Sequence, residues 1–235
     1  IRTDPRCVKL FKRILALSYW EFNVLNVMLS TGILERFIPE FSAIVNKIQY
    51  NHYHLFPVDK HSIRCVQVIN SFKEPGTTRM KSLYAGVFKD IRNKNVLLVA
   101  ALLHDIGKSD PAKEHSKRGV KIAGPILDRL GFNPTEREDV LFLIQHHLLM
   151  AKTATRRDIF DEETAVSTAN AVGKIRLLRM LFLLTVADSK ATGPKAWNDW
   201  TENLIKDLFL KTMGILKTGE LASKKTQRLM DKKKQ

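Results

Sequence analysis

Seven side chains in this sequence have types and spacing suited to holding a divalent metal ion: His61, His104, Asp105, His115, His146, His147 and Asp188. At their centre, His104 and Asp105 follow the apolar run Val96 to Leu103 and precede Gly107 and Lys108. An imidazole and a carboxylate at the end of a buried helix must be paired, hydrogen-bonded or bound to a metal, because a buried polar group left unsatisfied costs several kcal/mol. Taken singly, each residue has a plainer reading. A histidine at a helix start, such as His61, is most often a cap, an aspartate after an apolar run can simply end its helix, and His52 and His54 read as loop residues. Taken together they point elsewhere. The apolar segments 96–103, 140–144 and 180–187 each end in His or Asp at the same relative place, and converging polar helix ends are how bundles build metal sites. Imidazole with carboxylate and no thiolate suits Mn, Fe, Zn, Co or Mg rather than copper or iron–sulfur.

The elements that must position these groups read as helices. The chain has 235 residues, 44% of them apolar, with only 11 Gly and 8 Pro, too little punctuation for a many-stranded β protein. Helical periodicity predicts an all-α bundle of roughly eight to ten helices, divided into a lead-in (1–50), a main domain (51–217) and a basic tail (218–235). Asp59 is placed to cap a helix from about Lys60 that carries His61. Leu83 to Ile91 reads as a short helix, and His115 to Leu130 as an amphipathic helix ended by Gly131. Asn133-Pro134-Thr135-Glu136 opens the helix leading to His146-His147. Thr153 to Glu163 reads as a polar connection, Ile175 to Ala187 as a helix delivering Asp188, and Asn198 to Ile215 as the last helix.

The formal charge of +15 implies an acidic partner or substrate, although Lys224, Lys225 and Lys232 to Lys234 place part of it on a solvated tail. No aromatic-basic stripe accompanies the charge, which argues against nucleic acid as the partner. Cys7 and Cys65 are too few for a disulfide framework and form no CxxC pair, so a thiolate zinc site is not expected and a reducing cytoplasmic setting is. No apolar run reaches membrane-spanning length. The start at Ile1 without Met and the lysine-rich close read as a piece of a longer protein.

His61, His104-Asp105 and Asp188 match the H…HD…D signature, so the chain resembles the HD superfamily of metal-dependent phosphohydrolases. His115 and His146-His147 resemble the subset of that superfamily with room for a second metal. Four longer stretches narrow the resemblance: HLFPVDKH from His54, GILERFIPEFSAIV from Gly32, QHHLLMAKTATRRDIFD from Gln145 and LTVADSKATGPKAWNDW from Leu184. From about Val24 to about Lys217 the chain is similar to the HD domain of the bifunctional PII uridylyltransferase/uridylyl-removing family. In that family the domain lies between a nucleotidyltransferase domain and ACT domains, of which no signature is present here.

The resemblance implies hydrolysis of a phosphodiester on a uridylylated PII-type signal protein, with release of UMP. It implies a first metal on His61, His104, Asp105 and Asp188, and a second bridged by Asp105 to His115 and His146, with His147 a further candidate. Asp105, Lys108 and Asp188 would be catalytic. Lys108, one turn beyond His104, could reach a phosphate oxygen or only offset the helix dipole. Arg156 and Arg157 could anchor the substrate or pair with Asp158 and Asp161. Two other functions remain open at this point: hydrolysis of free or cyclic nucleotides, and a signalling module that binds without turnover.

Overall fold

Val96 to Leu103 does form the central helix of the protein, and all eight residues are buried. A computed structural model describes residues 2–17, 23–48, 56–74, 78–110 and 114–233, with side chains as far as 219. Within them are α1 (Pro5–Ala16), α2 (Val24–Ser30), α3 (Ile33–Phe37), a 3-10 turn (Pro39–Ile44), α4 (Val58–Ser71), α5 (Arg79–Lys89) and α6 (Lys94–Leu103). A second 3-10 turn (Ile106–Ser109) leads to α7 (His115–Arg129), α8 (Pro134–His146), α9 (Leu149–Arg156), α10 (Glu162–Val172), α11 (Ile175–Thr192) and α12 (Asp199–Lys233). The described residues contain only helices and their connections, so the fold is the expected all-α bundle, with twelve α-helices among the described residues once short ones such as the five-residue α3 are counted. None of these helices is long and apolar enough to cross a membrane.

From Val96 onward α6 is apolar all round, as a helix must be where neighbours cover every face. α4, α8 and α11 pack around it, and α1 closes another side. Phe11 and Leu15 of α1 join the same core as Leu97 to Leu103 and Leu181 to Leu184. Asn70 of α4 donates to the Leu15 carbonyl at 2.8 Å, which seats α1 on the bundle. At the far side, Tyr84 packs on Phe182, and Phe182 stacks on Phe209 with ring centroids 4.1 Å apart, joining α5, α11 and α12.

Several boundaries differ from the sequence reading. α4 begins at Val58, and Asp59 lies inside its first turn, fully buried. The N-cap is Pro57, and the two carboxylate oxygens of Asp59 accept from the first-turn N–H of Lys60 at 2.8 Å and from the backbone N–H of Asn46 at 3.0 Å, which pins the incoming chain. α10 falls across the end of the supposed polar connection. Asp161 caps it, and Thr164, Ala165, Thr168, Ala169 and Val172 form a buried stripe too weakly hydrophobic to stand out by composition. α11 runs four residues past Asp188, which therefore sits within a helix and not at its end. α12 continues through most of the segment expected to be a tail. His52 and His54 lie outside the described residues.

The turn after α6 is placed by a contact between backbones. A Cβ on Gly107 would lie 1.9 Å from the His115 carbonyl oxygen and 2.5 Å from the Gly119 nitrogen. Arg118 locks the contact by donating to the carbonyls of Gly107 (2.8 Å) and Asp110 (3.0 Å). Gly107→Ala is therefore expected to destabilise the protein by about 3 kcal/mol or more through overpacking. Gly86→Ala, on the exposed face of α5 with nothing within 4 Å of the new Cβ, should stabilise it by about 0.5–1 kcal/mol. Paired denaturant titrations check both, and a silent Gly107→Ala would refute the close contact.

Candidate metal centre

The two histidines at the heart of the site are held by the same device. His104 is the C-cap of α6 and His147 the C-cap of α8. A helix C-terminus leaves carbonyls without intrahelical partners. The His104 Nδ1 lies 2.8 Å from the Ala101 carbonyl, and the His147 Nδ1 lies 2.8 Å from the Ile144 carbonyl. A carbonyl can only accept, so Nδ1 carries a proton in each ring and Nε2 is the atom turned into the site.

Two groups of ligand-type atoms converge there. In the first, His61 Nε2 lies 3.3 Å from His104 Nε2 and 3.0 Å from an Asp188 carboxylate oxygen, and Cys65 Sγ lies 3.7 Å from His61 Nε2. In the second, His115 Nε2 lies 3.3 Å from His147 Nε2. Asp105 stands between the two groups. Its Oδ2 is 3.3 Å from His104 Nε2 and 3.8 Å from His61 Nε2. Its Oδ1 is 3.6 Å from His115 Nε2 and 3.7 Å from His147 Nε2. Each group gathers its nitrogen, oxygen and sulfur atoms to within 4.8 Å of one another, the spacing that a shared cation allows.

The donor set fits a divalent metal on two counts. Asp105 Oδ1 is buried yet has no hydrogen-bond partner, a costly condition for a carboxylate oxygen that a cation would relieve. The site is also otherwise rich in acceptors, and Lys108 Nζ, 2.6 Å from Asp105 Oδ2, already compensates part of its negative charge. The protonation pattern repeats the point. Burial opposes charge on His104, but the carboxylates of Asp105 and Asp188 outweigh it and push its pKa up to about 10. Burial acts against ionisation of Asp105 and Asp188 too, yet the neighbouring His104 charge and its hydrogen bond hold both well below the usual carboxylate range. Burial and the His104 charge push His147 down to about 4, leaving its Nε2 lone pair available. Burial lowers His115 as well.

Of the predicted residues, the structure brings together His61, His104, Asp105, Lys108, His115, His147 and Asp188. It does not bring in His146, whose ring packs on Phe142 with centroids 4.5 Å apart. Consecutive helical residues point about 100° apart, so only one of His146 and His147 can face the site, and it is His147. Arg156 and Arg157 are exposed at the end of α9, and among the described residues no hydrogen bond or ion pair ties either to the histidines of the site. Arg157 instead borders a shallow hollow with Asp158, Asp161 and Glu163. The residue that the sequence reading missed is Cys65. Its only signal is its place four residues after His61, on the same face of α4.

A family model described as HD domain matches residues 58–189, which span α4 to the histidine-facing part of α11. Curated relatives called bifunctional uridylyltransferase/uridylyl-removing enzyme are similar along nearly the whole chain. The protein from Gluconobacter oxydans (strain 621H) is 34% identical over 97% of this chain and 25% of its own length. That from Novosphingobium aromaticivorans is 35% identical over 100% of this chain and 26% of its own length. That from Zymomonas mobilis subsp. mobilis is 37% identical over 89% and 22%. The chain thus spans about a quarter of the length of the curated relatives it matches.

The protonation pattern sets the pH response of the chelator-treated protein. His104 rises from 6.5 to about 10 on folding, so its contribution is complete below about pH 6.5 and is lost as pH climbs toward 10. His147 falls from 6.5 to about 4, so stability drops as pH falls through that interval, and Asp105 and Asp188 add to the loss below 3.8. Melting temperature measured in chelator against pH should peak near 6.5. A steady rise from there to pH 9 would contradict the arrangement.

Proposed function

The chain belongs to the HD-domain family of metal-dependent hydrolases, and on that premise we propose that it hydrolyses the phosphodiester of a uridylylated PII-type signal protein and releases UMP. The observation that carries the reading is Asp105, whose two carboxylate oxygens each face a separate group of histidines. Names of the relatives support the uridylyl-removing half of the activity, which is the hydrolytic half. The two free cysteines suit a reducing cytoplasmic setting.

In this reading His61, His104, Asp188 and Asp105 Oδ2 would hold one divalent ion, and Asp105 Oδ1, His115 and His147 a second. Such ions make water nucleophilic near neutral pH and neutralise charge on the phosphoryl oxygens. The chain's own contribution is placement. Carbonyl hydrogen bonds lock the His104 and His147 rings, so neither loses rotamer freedom when a ligand arrives. Asp188 and His115 are the partly exposed members, with side-chain exposures of 17% and 25%, and they mark the side from which a phosphate enters. Lys108, 12% exposed beside Asp105, is within reach of that side, and its ammonium can pair with a phosphate oxygen. We assign Arg156 and Arg157 to the protein that carries the nucleotide and not to the reacting phosphate, because both side chains are exposed.

Release of UMP from uridylylated PII should require added divalent metal. It should fall by about 10³-fold or more in His104→Ala and Asp105→Ala, since several kcal/mol of transition-state stabilisation is removed. Turnover of free nucleotides alone would redirect the substrate assignment, and bound metal without any turnover would leave a binding module.

The two adjacent histidines give a sharper comparison. His147→Ala should cost about 10²-fold or more in activity, the range expected when a metal's immediate environment is broken. His146→Ala should stay within about threefold of the parent, as for a surface change away from the site. The reverse order in a steady-state assay would overturn the assignment of the second group.

A further inference from the structure

We propose that Cys65 is a further metal ligand of the first group, adding a thiolate to the imidazoles of His61 and His104 and the carboxylates of Asp188 and Asp105, a set that takes zinc or cobalt in preference to manganese or magnesium. The inference rests on the reading that this group binds a divalent ion. It reverses the expectation drawn from the absence of a CxxC pair: the thiol arrives through helix geometry, four residues after His61 on α4.

The distances carry it. Zinc holds nitrogen and oxygen ligands at about 2.0–2.1 Å and thiolate at about 2.3 Å, so adjacent ligand atoms around one ion stand about 3 to 3.5 Å apart. In the structure His61 Nε2 is 3.3 Å from His104 Nε2, 3.0 Å from Asp188 and 3.7 Å from Cys65 Sγ. His104 Nε2 lies 3.6 Å from the same Asp188 oxygen. The four atoms, from His61, Cys65, His104 and Asp188, all lie within 4.8 Å of one another. Cys65 is completely buried, so its sulfur has this group and the core as its surroundings.

Binding would break the S–H bond, with the proton leaving to solvent as the sulfur–metal bond forms. Without an ion, burial and the carboxylates of Asp188 and Asp105 hold the group as a thiol. A soft donor among hard ones shifts selectivity toward thiophilic ions, whereas an all-nitrogen-and-oxygen set leaves manganese and magnesium competitive.

The test uses the full chain with Cys7→Ser, which removes the other sulfhydryl, a half-buried residue of α1. The chain is stripped by chelator and reloaded with zinc or cobalt. Zinc X-ray absorption should show a sulfur neighbour at about 2.3 Å beside nitrogen or oxygen at about 2.0–2.1 Å. The cobalt form should show a sulfur-to-cobalt charge-transfer band in the near ultraviolet. Adding Cys65→Ser should abolish both signatures and lower the zinc-to-manganese affinity ratio by about tenfold or more. The sulfur shell is read without altering Cys65, so a poorly folding Cys65→Ser does not blunt the result. Stoichiometric zinc with nitrogen and oxygen neighbours only would overturn the proposal while leaving the hydrolase reading intact. Failure to bind any divalent ion would overturn both.

Discussion

A carboxylate buried at the end of an apolar helix requires positive charge around it, and the rest of this fold is arranged to meet the requirement of Asp105. The Asp105 side chain is about 2% exposed, and the neighbouring His104 is fully buried. One of its oxygens has Lys108 beside it, while the other has no hydrogen-bond partner at all. The cost of such a group in an apolar interior is large unless a cation or several donors face it. Four helices bring histidines to it from both sides, and the 3-10 turn brings Lys108. The core thus supplies the low-dielectric setting that makes the carboxylate expensive, and the helix ends supply what compensates it.

The compensation depends on backbone more than on side-chain choice. The His104 and His147 rings are held by the carbonyls of Ala101 and Ile144, each three residues back at the end of its own helix. α11 and α4 are packed side by side, which brings Asp188 to His61 although the two are 127 positions apart. Arg176, bidentate on Asp139 at 2.7 and 2.9 Å, ties the start of α11 to α8. The contact keeps the two helices in register far from the chemistry.

Much of this was legible in the residues. The apolar run Val96–Leu103 and its polar terminus announced a buried helix ending in a site, and the ordered His61, His104-Asp105 and Asp188 announced a constellation. What could not be read were the facts that depend on angle. Whether His146 or His147 turns inward depends on where α8 stops being a helix, and a pattern of apolar residues does not resolve one position. Asp188 looked terminal because polarity begins there, yet α11 continues because its partners α4 and α12 go on covering it. Cys65 escaped because a cysteine inside an apolar stripe is compositionally a small hydrophobe. α10 escaped because its buried face is built from Thr and Ala, which tertiary packing recruits without any strong periodic signal.

The meeting of Gly107 with α7 has a consequence for how the two halves of the centre can move. A backbone-to-backbone contact has no torsion that can absorb a shift, so the 3-10 turn that follows Asp105 and the helix start bearing His115 move as one piece. His61 and Asp188 arrive from α4 and α11, outside that piece. A displacement of α4 and α11 against the turn would therefore change the distance from Asp105 to His61 while leaving the backbones of Asp105 and His115 at a fixed separation.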